Sequence, residues 1–196
     1  MAAASPASGT YTPLLTVADS SLFTAFFYLP LNARRLGAAA SLASYTVSFL
    51  NAGSTVGRLA AGLGDRVGRF NLSVAAQYTG SILLLAMWIP LNNVAALVAF
   101  AVLYGFAVGI IVALVPACIS QISEPHEIGA RVGLNYAGVG LFMLAGPPIN
   151  GVILDKYPGA LGFRYCGLFS GLSCLVGATC VLVSRLSISR KLWAAV

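Results

Sequence analysis

The sequence has 196 residues, of which 59% are hydrophobic and 8% charged, and its 11 Lys and Arg against 5 Asp and Glu give a formal net charge of +6. Its mean hydropathy is +0.90, more apolar surface than one soluble core of this size can hide, so lipid is the solvent for most of the chain. The basic excess does not point to nucleic acid, because the cations sit at the ends of apolar stretches, where they orient a membrane protein and meet anionic headgroups.

A bilayer-spanning helix takes roughly 20 mainly apolar residues, and the charged and turn residues divide this chain into about six such stretches. The predicted fold class is all-α, a polytopic transmembrane helix bundle over residues 11–184. Residues 1–10 form a small-residue tail expected to be disordered, with no cleavable targeting signal visible. Residues 185–196, with Arg185, Arg190 and Lys191, form a basic cytoplasmic tail.

The predicted spans are about 11–30, 38–63, 71–89, 94–119, 132–154 and 165–183. The first is the least apolar and contains Pro13, Asp19, Ser20 and Ser21, and a polar connector with Arg34 and Arg35 follows it. In the second, at about 100° per residue, Ser44, Ser48, Ser54, Thr55 and Arg58 all fall within about 60° of Asn51. Gly53, Gly57 and Ala61 lie on a different face, at the four-residue spacing that lets helices approach closely in lipid. This helix is expected to have a wet face and a packing face.

The basic turn Gly64 to Arg69 leads into the third span, which closes on Trp88 and Pro90, so Trp88 is expected in the interfacial aromatic belt. A connector of Leu91, Asn92 and Asn93 makes spans three and four an antiparallel hairpin. Span four holds Gly105, Gly109 and Pro116, with a bend expected near the proline. In the polar loop from Gln121 to Arg131, Ser123 is expected to cap a short interfacial helix beginning Glu124-Pro125, since acids and proline suit helix starts. Span five is expected to break at Pro147-Pro148, and its Asn135, Tyr136 and Asn150 need hydrogen-bond partners in lipid, so they line a cavity or cross-link helices. The pairs Gly105 with Gly109 and Gly167 with Gly171 read as packing within the molecule.

No catalytic motif is present. The lone histidine, His126, lies in a loop and reads as solvated. The four cysteines, Cys118, Cys166, Cys174 and Cys180, lack metal-ligand spacing and read as small buried hydrophobes. No enzyme activity, metal or cofactor is expected. Asn71-Leu72-Ser73 is formally a glycosylation sequon, placed by the expected topology on the cytoplasmic side and so a chance match.

Arg58 is the leading candidate for a functional residue, because an arginine within a span costs about 2.5 to 3.5 kcal/mol on insertion scales and is normally paired, cavity-facing or functional. It either binds an anion in a solute pathway, with Asn51 and Ser54 adding polar contacts, or snorkels to the headgroups and pairs locally with Asp65. In the following turn, Gly62, Asp65, Arg66, Gly68 and Arg69 set topology: glycines permit a tight path, the acid caps or pairs, and the arginines stay on the positive side.

The spacing Gly-x-x-Asp-Arg-x-Gly-Arg at Gly62 to Arg69 resembles the conserved short loop of the major facilitator superfamily. Phe26 to Pro30, Phe49 to Ser54 running into Gly57-Arg58, Gly68 to Asn71, Ile128 to Gly133 and Gly146 to Gly151 are together similar to the fungal branch of its monocarboxylate transporters. The resemblance implies the C-terminal half of a twelve-helix transporter, with Arg58 in the eighth helix and a gating role for the loop. There the animal members place a functional arginine with an aspartate four residues earlier, where this chain has Ser54. It further implies alternating-access transport of a small organic solute, a monocarboxylate, past Arg58. A second six-helix half, or a second copy, would enclose the path. The competing expectation is a truncated, non-transporting membrane protein that serves as a structural or regulatory partner of a full transporter. Arg66, Arg69, Arg131, Arg185, Arg190 and Lys191 on one side against Arg34, Arg35, Lys156 and Arg164 on the other favour cytoplasmic termini, and the plasma membrane is expected rather than an internal one.

Overall fold

The computed structural model describes residues 24–188. The predicted tail 1–10, residues 11–23 of the first span and residues 189–196 of the basic tail lie outside the described residues. Six long helices follow in order: α1 (Thr24–Arg35), α2 (Ala40–Ala60), α3 (Arg69–Leu83), α4 (Val94–Ile122), α5 (Ile128–Lys156) and α6 (Ala160–Ile188). Among the described residues there is no β-strand, and the chain is an all-α bundle. Four stretches, Arg69–Trp88, Val94–Ile122, Ile128–Lys156 and Ala160–Val183, are long and apolar enough to cross a membrane. The 21-residue α2 is not among them, because Ser41, Ser44, Ser48, Asn51, Ser54, Thr55 and Arg58 lower its hydropathy.

The centre of the bundle is the seam between α2 and α4, which run parallel. A Cβ on Gly53 would meet the Val102 carbonyl, and one on Gly57 the Phe106 carbonyl; reciprocally, Gly105 lies on the Leu50 carbonyl and Gly109 on the Ser54 carbonyl. Each helix therefore contributes two glycines and two carbonyls at four-residue spacing. With no hydrophobic drive between helices in lipid, such backbone contact supplies dispersion and weak Cα–H to oxygen attraction. The expected packing face of α2 and the intramolecular reading of Gly105 and Gly109 are both found.

The second seam joins α3 to α6, antiparallel. Gly167 accommodates the Trp88 indole and Gly171 the Leu85 side chain, while the Cys174 thiol lies 3.8 Å from the Gln77 carbonyl oxygen. Trp88 is the principal correction here: it is 4% exposed, donates Nε1–H to the Phe163 carbonyl at 2.9 Å and meets Phe100 edge-on at 5.3 Å. A buried indole needs an acceptor, and the first turn of α6 supplies it, so this tryptophan packs the core instead of the aromatic belt. It ends a five-residue π-helical segment, Leu84–Trp88, and π-turns commonly re-aim a side chain in this way.

Three further expectations give way. The chain does not loop from Gly64 to Arg69: a 3₁₀ turn (Ala61–Leu63) and a helical turn (Gly64–Val67) continue α2. The reversal is confined to Gly68, at φ 98°, a region that favours glycine. Ser123 ends α4 in an extended conformation instead of capping a new helix, and α5 starts after Glu127, because Glu124 to Glu127 leave too little chain for a separate helix. Finally, α5 runs unbroken through Pro147 and Pro148. A proline costs its helix one amide and a clash, and neighbouring groups offset this in a bundle; Tyr28 Oη on α1 docks this stretch by donating to the Pro147 carbonyl.

Gly57→Ala should force α2 and α4 apart and lower thermal stability in detergent by about 2 kcal/mol or more. Gly62→Ala, where an added Cβ meets nothing within 4 Å, should stay within about 0.5 kcal/mol of wild type. Equal losses in a paired unfolding assay would show that the seam does not depend on the missing Cβ atoms.

Candidate functional site

Because Gly53 and Gly57 commit one side of α2 to α4, the rest of the helix surface is fixed in direction. Ser44, Ser48, Asn51, Thr55 and Arg58 are exposed along one face. The hydroxyls of Ser44 and Thr55 donate to the carbonyls of Ala40 at 3.1 Å and Asn51 at 2.9 Å, so they satisfy themselves within the helix. Ser48, Asn51 and Arg58 remain the groups with polar capacity to offer outward. Among the described residues Arg58 forms no ion pair, and the local partner expected for it is taken, since Asp65 pairs with Arg69 at 2.9 Å.

Ser54 is placed differently from the other two residues of the candidate trio. It is 3% exposed, with its backbone against Gly109. It lies about 60° from Asn51 on the side nearer Gly57, between the polar face and the seam. The structure thus brings Asn51 and Arg58 onto one open face and turns Ser54 towards α4.

In the turn, Gly62, Asp65 and Arg66 are exposed, Gly68 is buried and Arg69 half-buried. The Gly68 amide donates to the Gly64 carbonyl at 2.9 Å. Asn71 secures the next turn by donating Nδ2–H to the Val67 carbonyl at 2.9 Å, and its Oδ1 accepts from Nε of Arg185. Arg185, 3% exposed, thereby ties the end of α6 to the start of α3. Ser73 of the formal sequon is fully buried.

On α5, Asn135 and Asn150 are both fully buried. Asn150 donates to the Gly146 carbonyl of its own helix at 3.2 Å, and its backbone carbonyl accepts from the Cys166 thiol at 3.5 Å, which links α5 to α6. Cys118, Cys166 and Cys174 are buried, and none of the four cysteines is in a disulfide among the described residues. Among the described residues no group of His, Cys, Asp or Glu is arranged to hold a metal. His126 is exposed beside Glu124, 3.5 Å away.

Sequence reasoning passed over a buried polar ladder on α3. Ser73, Gln77 and Ser81 are all fully buried, and the Gln77 side-chain amide makes no hydrogen bond among the described residues. Their spacing of four was the available signal. It also passed over Arg35, whose Nε donates to Asn32 Oδ1 at 2.9 Å and Nη2 to the Leu91 carbonyl at 3.1 Å. Burial, and then the charge of Arg164, hold this guanidinium below the ordinary arginine range.

Comparison with known proteins agrees with this architecture. The family model of the Major Facilitator Superfamily matches residues 12–193. The chain is 34% identical over 183 residues to MFS-type transporter 1 of Ophiocordyceps sp., an alignment covering 90% of this chain and 40% of that protein. It is 37% identical over 179 residues to the MFS transporter asaE of Aspergillus flavus, covering 88% and 40%, and 38% identical over 142 residues to the aspyridones efflux protein apdF of Emericella nidulans, covering 71% and 29%. The chain thus spans 40% of the length of the first two relatives. The proton:xylose symporter XylE superposes with a TM-score of 0.74 at 17% identity, over 90% of this chain and 44% of that one, a likeness of fold.

Removing the acceptor of a buried guanidinium should cost more than breaking an exposed ion pair. Asn71→Leu, which strips Arg185 of its Asn71 contact, should lower stability by about 1 to 3 kcal/mol, whereas Asp65→Asn at the exposed pair with Arg69 should cost no more than about 1 kcal/mol. Thermal unfolding of both variants in one detergent checks the ranking. An all-α bundle built on two glycine seams, matched over residues 12–193 by the family model, belongs to the major facilitator superfamily.

Proposed function

We propose that the chain forms the solute-facing half of a membrane transporter of the facilitator type, with α2 lining the path. The observation that carries the reading is the exposed face of Asn51 and Arg58 on a helix whose opposite side is sealed against α4. An exposed arginine in lipid is unfavourable, so this face calls for a water-filled cavity and a facing wall. A second six-helix half, or a second copy of the chain, supplies that wall. Alternating access moves one bundle against the other around a site at their junction.

Arg58 offers charge-assisted, bidentate hydrogen bonds to a carboxylate or another planar anion, and Asn51 adds a donor and an acceptor one to two turns away. Ser54 contributes through its place beside the seam, where a small residue keeps α2 close to α4. The preferred cargo is a small organic anion. A monocarboxylate satisfies Arg58; relatives named as efflux proteins for aspyridones, agnestins and fujikurins support outward movement of a larger organic solute. The turn of Gly62, Asp65, Arg66, Gly68 and Arg69 acts as a gating and topology element that reverses at Gly68, and Asn135 and Asn150 are buried polar groups of α5. The Lys and Arg count favours termini on the cytoplasmic side, and the membrane proposed is the plasma membrane.

Arg58→Gln in liposome-reconstituted protein should reduce organic-anion flux about tenfold or more, the equivalent of one charge-assisted hydrogen bond, with Arg58→Lys intermediate and the unfolding midpoint unchanged. Flux equal to wild type rejects the role of Arg58. Flux by the wild-type chain alone sinks the competing reading of a non-transporting partner half.

A further inference from the structure

The buried polar ladder of α3 lies apart from the open face of α2, on a helix that packs against both α4 and α6. A Cβ on Gly80 would meet the Tyr104 ring of α4 at 3.8 Å, and the Cys174 thiol of α6 lies 3.8 Å from the Gln77 carbonyl oxygen. Hydroxyls on these helices bond back to their own backbone: Ser81 donates to the Gln77 carbonyl at 2.9 Å, Thr79 to Ala75 at 2.8 Å and Ser173 to Phe169 at 2.8 Å. That bond satisfies them locally. Ser73 does not make it. Its Oγ, and both Oε1 and Nε2 of Gln77, are buried without a hydrogen bond among the described residues.

These atoms belong to one step of the helix. Residues four apart stand about 5–6 Å from each other at Cβ, on one face, so a single small molecule can touch both side chains at hydrogen-bond length. The facing wall comes from α6, whose antiparallel register is pinned by Cys174 at Gln77 and by Arg185 at Asn71. Ala178, fully buried one turn beyond Cys174, therefore falls across from the step between Gln77 and Ser73. Its methyl group takes up little space and can neither donate nor accept.

We infer that Ser73 and Gln77 bind a buried water molecule between α3 and α6, hydrogen-bonded to the Gln77 amide and the Ser73 hydroxyl. The ligand has to be neutral, because Ser73, Gln77 and Ala178 carry no charge and a buried ion without a counter-charge is strongly unfavourable. It also has to donate and accept at once, since the step offers both an amide and a hydroxyl. Water meets both demands and is held inside proteins by buried polar groups of this kind. The site is internal to the bundle, so it serves the α3–α6 seam and not the solute face of Asn51 and Arg58.

The chain has two glutamines, Gln77 and the exposed Gln121, so labelling glutamine side-chain amides with nitrogen-15 gives one signal from each. Water-edited solid-state NMR in lipid bilayers, at short mixing time, reads the transfer of magnetisation from water to both. Gln121 takes it from bulk solvent, and Gln77 should take it despite its burial. Ser73→Ala should remove most of the transfer to Gln77 and leave Gln121 unchanged. Gln77→Met, similar in volume but without the amide, should lower the unfolding midpoint by about 2–4 °C, the shift for one lost hydrogen bond in a chain of this size. No transfer to Gln77 in the wild-type chain, or undiminished transfer in Ser73→Ala, overturns the site. A raised midpoint in Gln77→Met also overturns it, because removing an amide that had no partner relieves a cost.

Discussion

The fold depends on four backbone contacts in which Gly53, Gly57, Gly105 and Gly109 each meet a carbonyl of the opposite helix. In water α2 would be drawn to α4 by its apolar side chains, but lipid tails are as apolar as leucine and supply no such drive. What remains is dispersion, which needs close approach, and weak Cα–H to oxygen attraction, worth about 0.5–1 kcal/mol per contact. Both vanish if the helices separate by the thickness of a methyl group. The absence of four Cβ atoms therefore sets the distance between α2 and α4, and with it the rotation of α2 about its own axis.

The α3–α6 seam solves the same problem with different chemistry. Its glycines, Gly167 and Gly171, make room for large side chains, Trp88 and Leu85, instead of for a backbone. Specific polar contacts mark its two ends: the indole on the Phe163 carbonyl at one and Arg185 on Asn71 at the other. Interhelical hydrogen bonds in lipid are worth only about 0.6 kcal/mol on average, because separated helices also find partners, so these contacts fix register along the seam more than they add stability. The Gln77 side chain, buried between them without a hydrogen bond among the described residues, is costly by ordinary accounting; no physical account of it follows from the packing.

Much of this was legible in the residues. The glycine pairs at four-residue spacing and the polar stripe of α2 follow from helical periodicity alone, and the family signal of the turn follows from its spacing. The remainder depended on neighbours that no single helix reveals. A helical wheel places Ser54 with Asn51, yet only the position of α4 shows that its 60° offset turns it inward. Trp88 near a helix end looks like a belt residue until Gly167 is seen to leave a slot for its ring. Pro147 and Pro148 look like a break, yet α5 runs through both, and the loop at Gly64 looks irregular because its one exceptional dihedral belongs to Gly68 alone.

The fixed rotation of α2 has a consequence for Arg58. Pointing away from α4, it cannot be neutralised by any group of that seam, and Asp65 is held by Arg69. Snorkelling would relieve it only in part: Arg58 is the last-turn cation of a helix that continues, through Ala61–Leu63 and Gly64–Val67, for two further turns. A cation so placed, on the same face as Asn51 seven residues earlier, can find a counter-charge only from outside α2 and its seam with α4.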